Sequence, residues 1–159
     1  MPGASDRRTA EDVLPPGARR CFACGKDNPI GFRLDDIRRQ GEEVHATLHP
    51  RPEYQSYPGV LHGGLSATAL DEVMGYAAIL LAGVWAATAT MEVRYRARVP
   101  YDVPLPLVAG LSEHRGQRLR SWSRLLLPGG AVGVEARALL VALPAEVAER
   151  ARALYGPMA

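Results

Sequence analysis

Four residues in one short stretch could do chemistry together: His62, Gly63, Gly64 and Asp71. The run Tyr57-Pro58-Gly59-Val60-Leu61-His62-Gly63-Gly64 leads straight into residues 63–81, GGLSATALDEVMGYAAILL, which read as a helix. The first N–H groups of a helix lack an internal partner, and the helix dipole favours negative charge there. The Gly63 N–H could therefore polarise a carbonyl and hold a developing oxyanion. His62 could add a donor or orient a substrate, and the two glycines let a ligand or another backbone approach closely. Asp71 is a carboxylate on a helix otherwise apolar over many residues. It suits a nucleophile, or a general base acting on water. Its neighbour Glu72 lies about 100° round the helix and is expected to be solvated or to face a second subunit.

The spacing constrains how these groups can cooperate. Gly63 and Asp71 are eight residues apart, roughly 12 Å along a helix rising 1.5 Å per residue. They cannot both touch one carbonyl within one chain. If both act, the helix start of one subunit faces Asp71 of another, and a symmetric dimer carries two equal sites.

The elements that must hold these residues follow from length and patterning. A chain of 159 residues, 47% hydrophobic and 23% charged, is one ordinary globular domain with room for a real core. A net charge of +2 is too small to argue for nucleic acid. Residues 1–20, polar and carrying Pro2, Pro15 and Pro16, read as a flexible arm, and residues 21–159 as a single domain. Residues 30–39 and 43–49 read as strands joined at Gln40-Gly41-Glu42, and Pro50, Pro52 and Pro58 make 51–59 a loop. Over Thr88–Val99, Met91, Val93, Tyr95 and Ala97 alternate with Glu92, Arg94, Arg96 and Arg98, as a strand with two faces does. Three more strands are predicted near 105–114, 118–127 and 131–143, then a short C-terminal helix over 144–155. Two strands, one long apolar helix and four strands imply an α+β fold. Its antiparallel sheet must wrap round the single central helix.

The uncharged stretch Val73–Met91 approaches the length of a membrane span. It contains Gly75 and Gly83 and ends in strand-like alternation, so it reads as core helix, loop and strand. No apolar leader pattern occurs over residues 1–20, and two cysteines are too few for a disulfide framework. A cytoplasmic location is expected, with no membrane partner.

Leu61-His62-Gly63-Gly64-Leu65-Ser66-Ala67-Thr68-Ala69-Leu70-Asp71 resembles the signature of the hotdog-fold acyl-CoA thioesterases, in the branch of the phenylacetate-pathway and human thioesterase-superfamily enzymes. Cys21-Phe22-Ala23-Cys24-Gly25-Lys26-Asp27-Asn28-Pro29-Ile30-Gly31 resembles an N-terminal motif of that branch. The resemblance spans about residues 21–143. It implies a hotdog fold assembled into dimers, often tetramers, that hydrolyses an acyl-CoA thioester with no metal and no cofactor beyond the coenzyme A of the substrate. It makes Asp71 the nucleophile or general base, Gly63 the oxyanion donor with His62 beside it, and Thr88 a hydroxyl that positions water. Some relatives carry an Asn six residues before the His. Here Ser56 stands at that position and Gln55, the residue before it, is the candidate replacement.

Residues 91–124 hold seven arginines and three acids. This basic stretch, Arg94 and Arg96 foremost, could receive the phosphates of coenzyme A; the plainer reading is a solvated strand face. Trp85 and Trp122 read as core or interface residues. Cys21-x-x-Cys24 with His45 and His49 superficially suggests zinc, but the histidines sit on a predicted strand roughly 13 Å apart, so a turn-packing pair of thiols is expected instead. Ser66 follows His62 by one helical turn, without the strand–turn–helix elbow of a serine hydrolase. The rivals to a thioesterase are a non-hydrolytic hotdog protein that binds a ligand or regulates partners, and an enzyme using Asp71 as acid or base on another acyl substrate.

Overall fold

The computed structural model describes residues 20–155. The arm expected over 1–20 lies, but for Arg20, outside the described residues. Six strands form one sheet: β1 (Asp35–Gln40), β2 (Glu43–Leu48), β3 (Ala86–Tyr95), β4 (Leu105–Arg115), β5 (Arg118–Leu126) and β6 (Val132–Ala142). Their lateral order is β1-β2-β4-β5-β6-β3, and every pairing is antiparallel. Helix α1 (Gly63–Ala82) packs against all six strands, and α2 (Ala145–Tyr155) follows β6. A sheet wrapped round one central helix is what the order of elements predicts, and it is the hotdog fold that the resemblance implies.

Side-chain size explains how close the helix lies. The inner face of the sheet carries Ala46, Ala109, Ser121, Ser123, Ala136 and Ala138, all buried. Such small residues let the bulk of α1 settle against the strands, and Leu70, Val73, Met74 and Ala77 of α1 are completely buried. Burying a side chain of Leu size contributes about 1.5–3 kcal/mol. The helix is long and apolar enough to cross a membrane, and its cover by the sheet accounts for that composition. Gly83 ends it at φ 68°, giving its N–H to the carbonyls of Ala78 and Ile79. That left-handed cap suits glycine and divides the uncharged Val73–Met91 stretch into helix and strand.

Two boundaries differ from the sequence reading. The first strand starts at Asp35, not near Ile30, because Arg33 (φ 54°) breaks the extended run; Asp36 (φ 53°) lies inside the strand, at a register shift between Asp35 and Arg38. Residues 21–34 instead form a compact turn, with Phe32 N–H bonded to Phe22 O at 2.8 Å and Leu34 N–H to Ala23 O at 2.9 Å. The strand expected over Thr88–Val99 runs over Ala86–Tyr95, so Arg96, Ala97 and Arg98 fall outside it. It also contains a register shift between Thr88 and Thr90, where Ala89 is the extra residue.

Candidate active site

His62 caps α1. Its Nδ1 accepts the Gly64 N–H at 3.0 Å, so the ring proton of the neutral imidazole sits on Nε2, a donor on an exposed side chain. The Gly64 N–H is thereby engaged inside the turn. The Gly63 N–H has no protein acceptor among the described residues. No acidic residue occupies the first turn of α1, so the positive end of the dipole is free to face a ligand. Ser66 Oγ is buried without a partner, and the capping bond occupies the histidine nitrogen that could otherwise accept a proton, so no serine nucleophile is assembled there.

Asp71 is half-buried, not sealed in the core. Thr88 Oγ1 donates to its Oδ1 at 2.6 Å across seventeen residues of chain. Simple alternation would place Thr88 on the outward face with Glu92. The bulge at Ala89 reverses that parity. Thr88 pairs with Leu140 and Met91 with Ala138, and Leu140 and Ala138 are both buried on the inner face. One inserted residue thus aims the hydroxyl at the carboxylate.

Glu72 overturns the expectation of a solvated neighbour. The turn of residues 21–34 covers its side of α1, and Cys21 Sγ donates to Glu72 Oε1 at 3.5 Å. Burial first, then the Cys21 charge, pushes the Glu72 carboxyl up to about 7. Helix periodicity alone could not show which segment would cover that face.

Tyr95, which alternation places on one face with Met91 and Val93, is a site residue that the sequence pattern does not single out. The residue is 56% exposed, and its hydroxyl donates to Gly63 O at 3.0 Å. A Cβ on Gly63 would lie 3.0 Å from the Tyr95 ring. Strand β3 therefore carries a tether at each end, Tyr95 to Gly63 and Thr88 to Asp71. It is also an outer strand of the sheet, paired only with β6 among the described residues.

The remaining candidates lie at the rim or beyond it. Gln55 and Ser56 are exposed in the loop before α1, where Gln55 bridges to Leu61. Ser56 Oγ donates to Val60 O at 3.4 Å, while Gln55 makes no side-chain hydrogen bond among the described residues. Arg94 pairs with Glu92 at 2.8 Å and Arg96 with Glu135 at 2.5 Å, both on the exposed surface. His45 meets Glu43 and His49 lies near Asp35, so neither approaches the cysteines. An open depression of ≈ 750 Å³, lined in part by Glu92, Arg120, Trp122, Arg124 and Arg137, lies on the outer face of the sheet. Asp71 is on the other side. Trp122 accordingly faces outward under Arg124, whose guanidinium carbon is 5.0 Å from the ring centre.

A family model described as the thioesterase superfamily matches residues 58–119, the stretch holding His62, Gly63, Asp71 and Thr88. No curated protein matches the chain. Among solved structures, RHA08564, a thioesterase superfamily protein, is similar with TM-score 0.72 and 25% identity over 89% of this chain and 72% of that one. Zebrafish thioesterase superfamily member 2 has TM-score 0.68 and 16% identity over 86% and 99% of the two chains. Protein smu.793 from Streptococcus mutans UA159, bound to acetyl CoA, has TM-score 0.62 and 14% identity over 69% and 88%.

Proposed function

We propose that this chain, which resembles the hotdog thioesterases in signature and fold, hydrolyses an acyl-CoA or acyl-carrier thioester at a site shared between two subunits. The observation that carries this reading is the double tether of β3. One end holds the Gly63 turn through Tyr95, and the other holds Asp71 through Thr88. Both lie along an outer strand whose second edge is free to pair. Antiparallel pairing of two β3 strands across a two-fold near Met91 and Glu92 brings the Tyr95 end of one beside the Thr88 end of the other. The Gly63 N–H of one subunit then faces the partner's Asp71, which removes the 12 Å conflict within one helix.

In this arrangement the thioester carbonyl sits at the helix start, where the Gly63 N–H, with His62 Nε2–H beside it, holds the oxyanion as it forms. Asp71 takes a proton from water while the water oxygen bonds to the carbonyl carbon. Collapse of the tetrahedral adduct breaks the C–S bond, and the thiolate leaves and is protonated. In the covalent variant Asp71 itself attacks, and water cleaves the resulting anhydride. Either route uses Thr88 to fix one carboxylate oxygen. Coenzyme A is the expected carrier, since smu.793 is bound to acetyl CoA. Gln55 is the rim side chain available to the leaving group.

The test is thiol release from short, long and aromatic acyl-CoAs by the wild type and Asp71→Asn, beside light scattering on the same samples. Turnover that Asp71→Asn abolishes in a folded dimer or larger assembly supports the reading. An active monomer overturns the shared site. Binding of acyl-CoA with no turnover favours a non-hydrolytic ligand-binding protein.

A further inference from the structure

The strongest feature outside the candidate active site lies beneath the N-terminal turn. Cys21, Cys24 and Glu72 bring two thiol sulfurs and a carboxylate oxygen within 4.8 Å of one another. We propose that these three side chains bind one thiophilic divalent cation of the zinc class, clamping the turn of residues 21–34 to the central helix. The sequence reading expected no metal and weighed the cysteines against distant histidines; the fold gives them Glu72 instead.

Three observations carry the assignment. First, the turn presents both sulfurs together. Cys21-Phe22-Ala23-Cys24-Gly25 closes with Gly25 N–H on Cys21 O at 3.0 Å. That closure brings both sulfurs to Glu72 of α1, with all three ligand atoms within 4.8 Å of one another. Second, the distance fits. A tetrahedral site with metal–sulfur near 2.3 Å and metal–oxygen near 2.1 Å separates the two ligand atoms by about 3.6 Å. Cys21 Sγ and Glu72 Oε1 stand 3.5 Å apart. Third, the charge balance calls for a cation. Cys24 is buried, Glu72 is part-buried under the turn, and no lysine or arginine pairs with Glu72 among the described residues.

The surroundings match a metal shell. Tyr76, one turn beyond Glu72 on α1 and 5% exposed, lies beside Cys24. Such outer contacts orient metal ligands. Three protein ligands leave a fourth position for water. The cation would hold Glu72, and with it the helical turn that carries Asp71. Its role is positioning; it takes no part in the chemistry proposed above and its test does not depend on that chemistry.

The full chain, purified with reductant and stripped with a chelator, would be titrated with cobalt(II) and then zinc(II). One equivalent of cobalt is expected to produce a thiolate-to-cobalt absorption band in the near ultraviolet, which one equivalent of zinc displaces. Zinc should also shield both thiols from Ellman's reagent and raise the melting temperature. Cys21→Ser should abolish the band. Glu72→Gln, which keeps the shape of the side chain, should weaken cobalt binding at least tenfold while the circular dichroism stays that of the wild type. A folded, reduced wild type that gives no band overturns the proposal, as does a band that survives Cys21→Ser. A Cys21–Cys24 disulfide that, once reduced, still yields no band overturns it in favour of a redox pair.

Discussion

Thr88→Val tests the link between the β3 bulge and catalysis. The substitution removes one hydroxyl and keeps the β-branched shape. The 2.6 Å Thr88–Asp71 bond is a short, charge-assisted contact, and hydrogen bonds to charged groups are worth about 1.5–3 kcal/mol. Because the pair is partly exposed, water can replace the lost donor, which puts the effect at the low end. A loss of about 1.4 kcal/mol in the transition state lowers kcat about tenfold. KM should stay within about twofold, and stability within about 0.5 kcal/mol, as for a surface change. Thr88→Ser should recover most of the rate. Deleting Ala89 is the sharper control: it removes the bulge, turns Thr88 to the outer face, and should cost at least as much activity with every site residue still present. The assay is steady-state thiol release on the best acyl-CoA, beside thermal melts. If Thr88→Val retains wild-type kcat where Asp71→Asn is inactive, the hydroxyl plays no part in positioning the carboxylate, and the argument from the bulge fails.

Three further outcomes follow from the geometry. Tyr95→Phe removes the hydrogen bond to Gly63 O but keeps the ring against the turn, so kcat should fall about threefold to tenfold, a loss of about 1 kcal/mol, with little change in melting temperature; an unaltered rate would remove Tyr95 from the positioning of the turn. Gly31→Ala would place a methyl group 2.4 Å from Phe22 O, and relieving that overlap should cost about 1–3 kcal/mol, seen as a melting temperature lower by roughly 2–12 °C. Leu70→Ala, at a completely buried position beside Asp71, should destabilise by about 2–5 kcal/mol, read from denaturant midpoints at unchanged slope.

What could be read from the sequence was what local pattern encodes. The helix 63–81, the hairpin turns and the last three strands follow from periodicity and from glycine and proline, and the structure places them within a residue or two. The signature from His62 to Asp71 was equally visible, because capping and helix rise are local physics. Three features escaped. A bulge shifts parity without any mark in composition, so Thr88 pointed the wrong way until the pairing of β3 with β6 was known. The burial of Glu72 depends on a turn whose Cys21 stands 51 residues earlier in the chain. Tyr95 shares its face with Met91 and Val93 and nothing in the alternation singles it out, yet the strand ends there and its ring leans on the helix start. Each miss concerns which distant segment covers a face.

The lateral order of the sheet also dictates when the molecule can close. Strand β3 leaves the ribosome directly after α1, but its neighbour β6 is the last strand made and must enter between β5 and β3. Until Val132–Ala142 has emerged, β3 has no strand to join and the apolar helix lacks part of its cover. The chain therefore cannot finish from its N-terminal end as it is synthesised; long-range closure of this kind is slow and leaves sticky surface open meanwhile. A chain cut after β5 should collapse without a stable fold, whereas one cut after Leu143 keeps every strand and should need only α2.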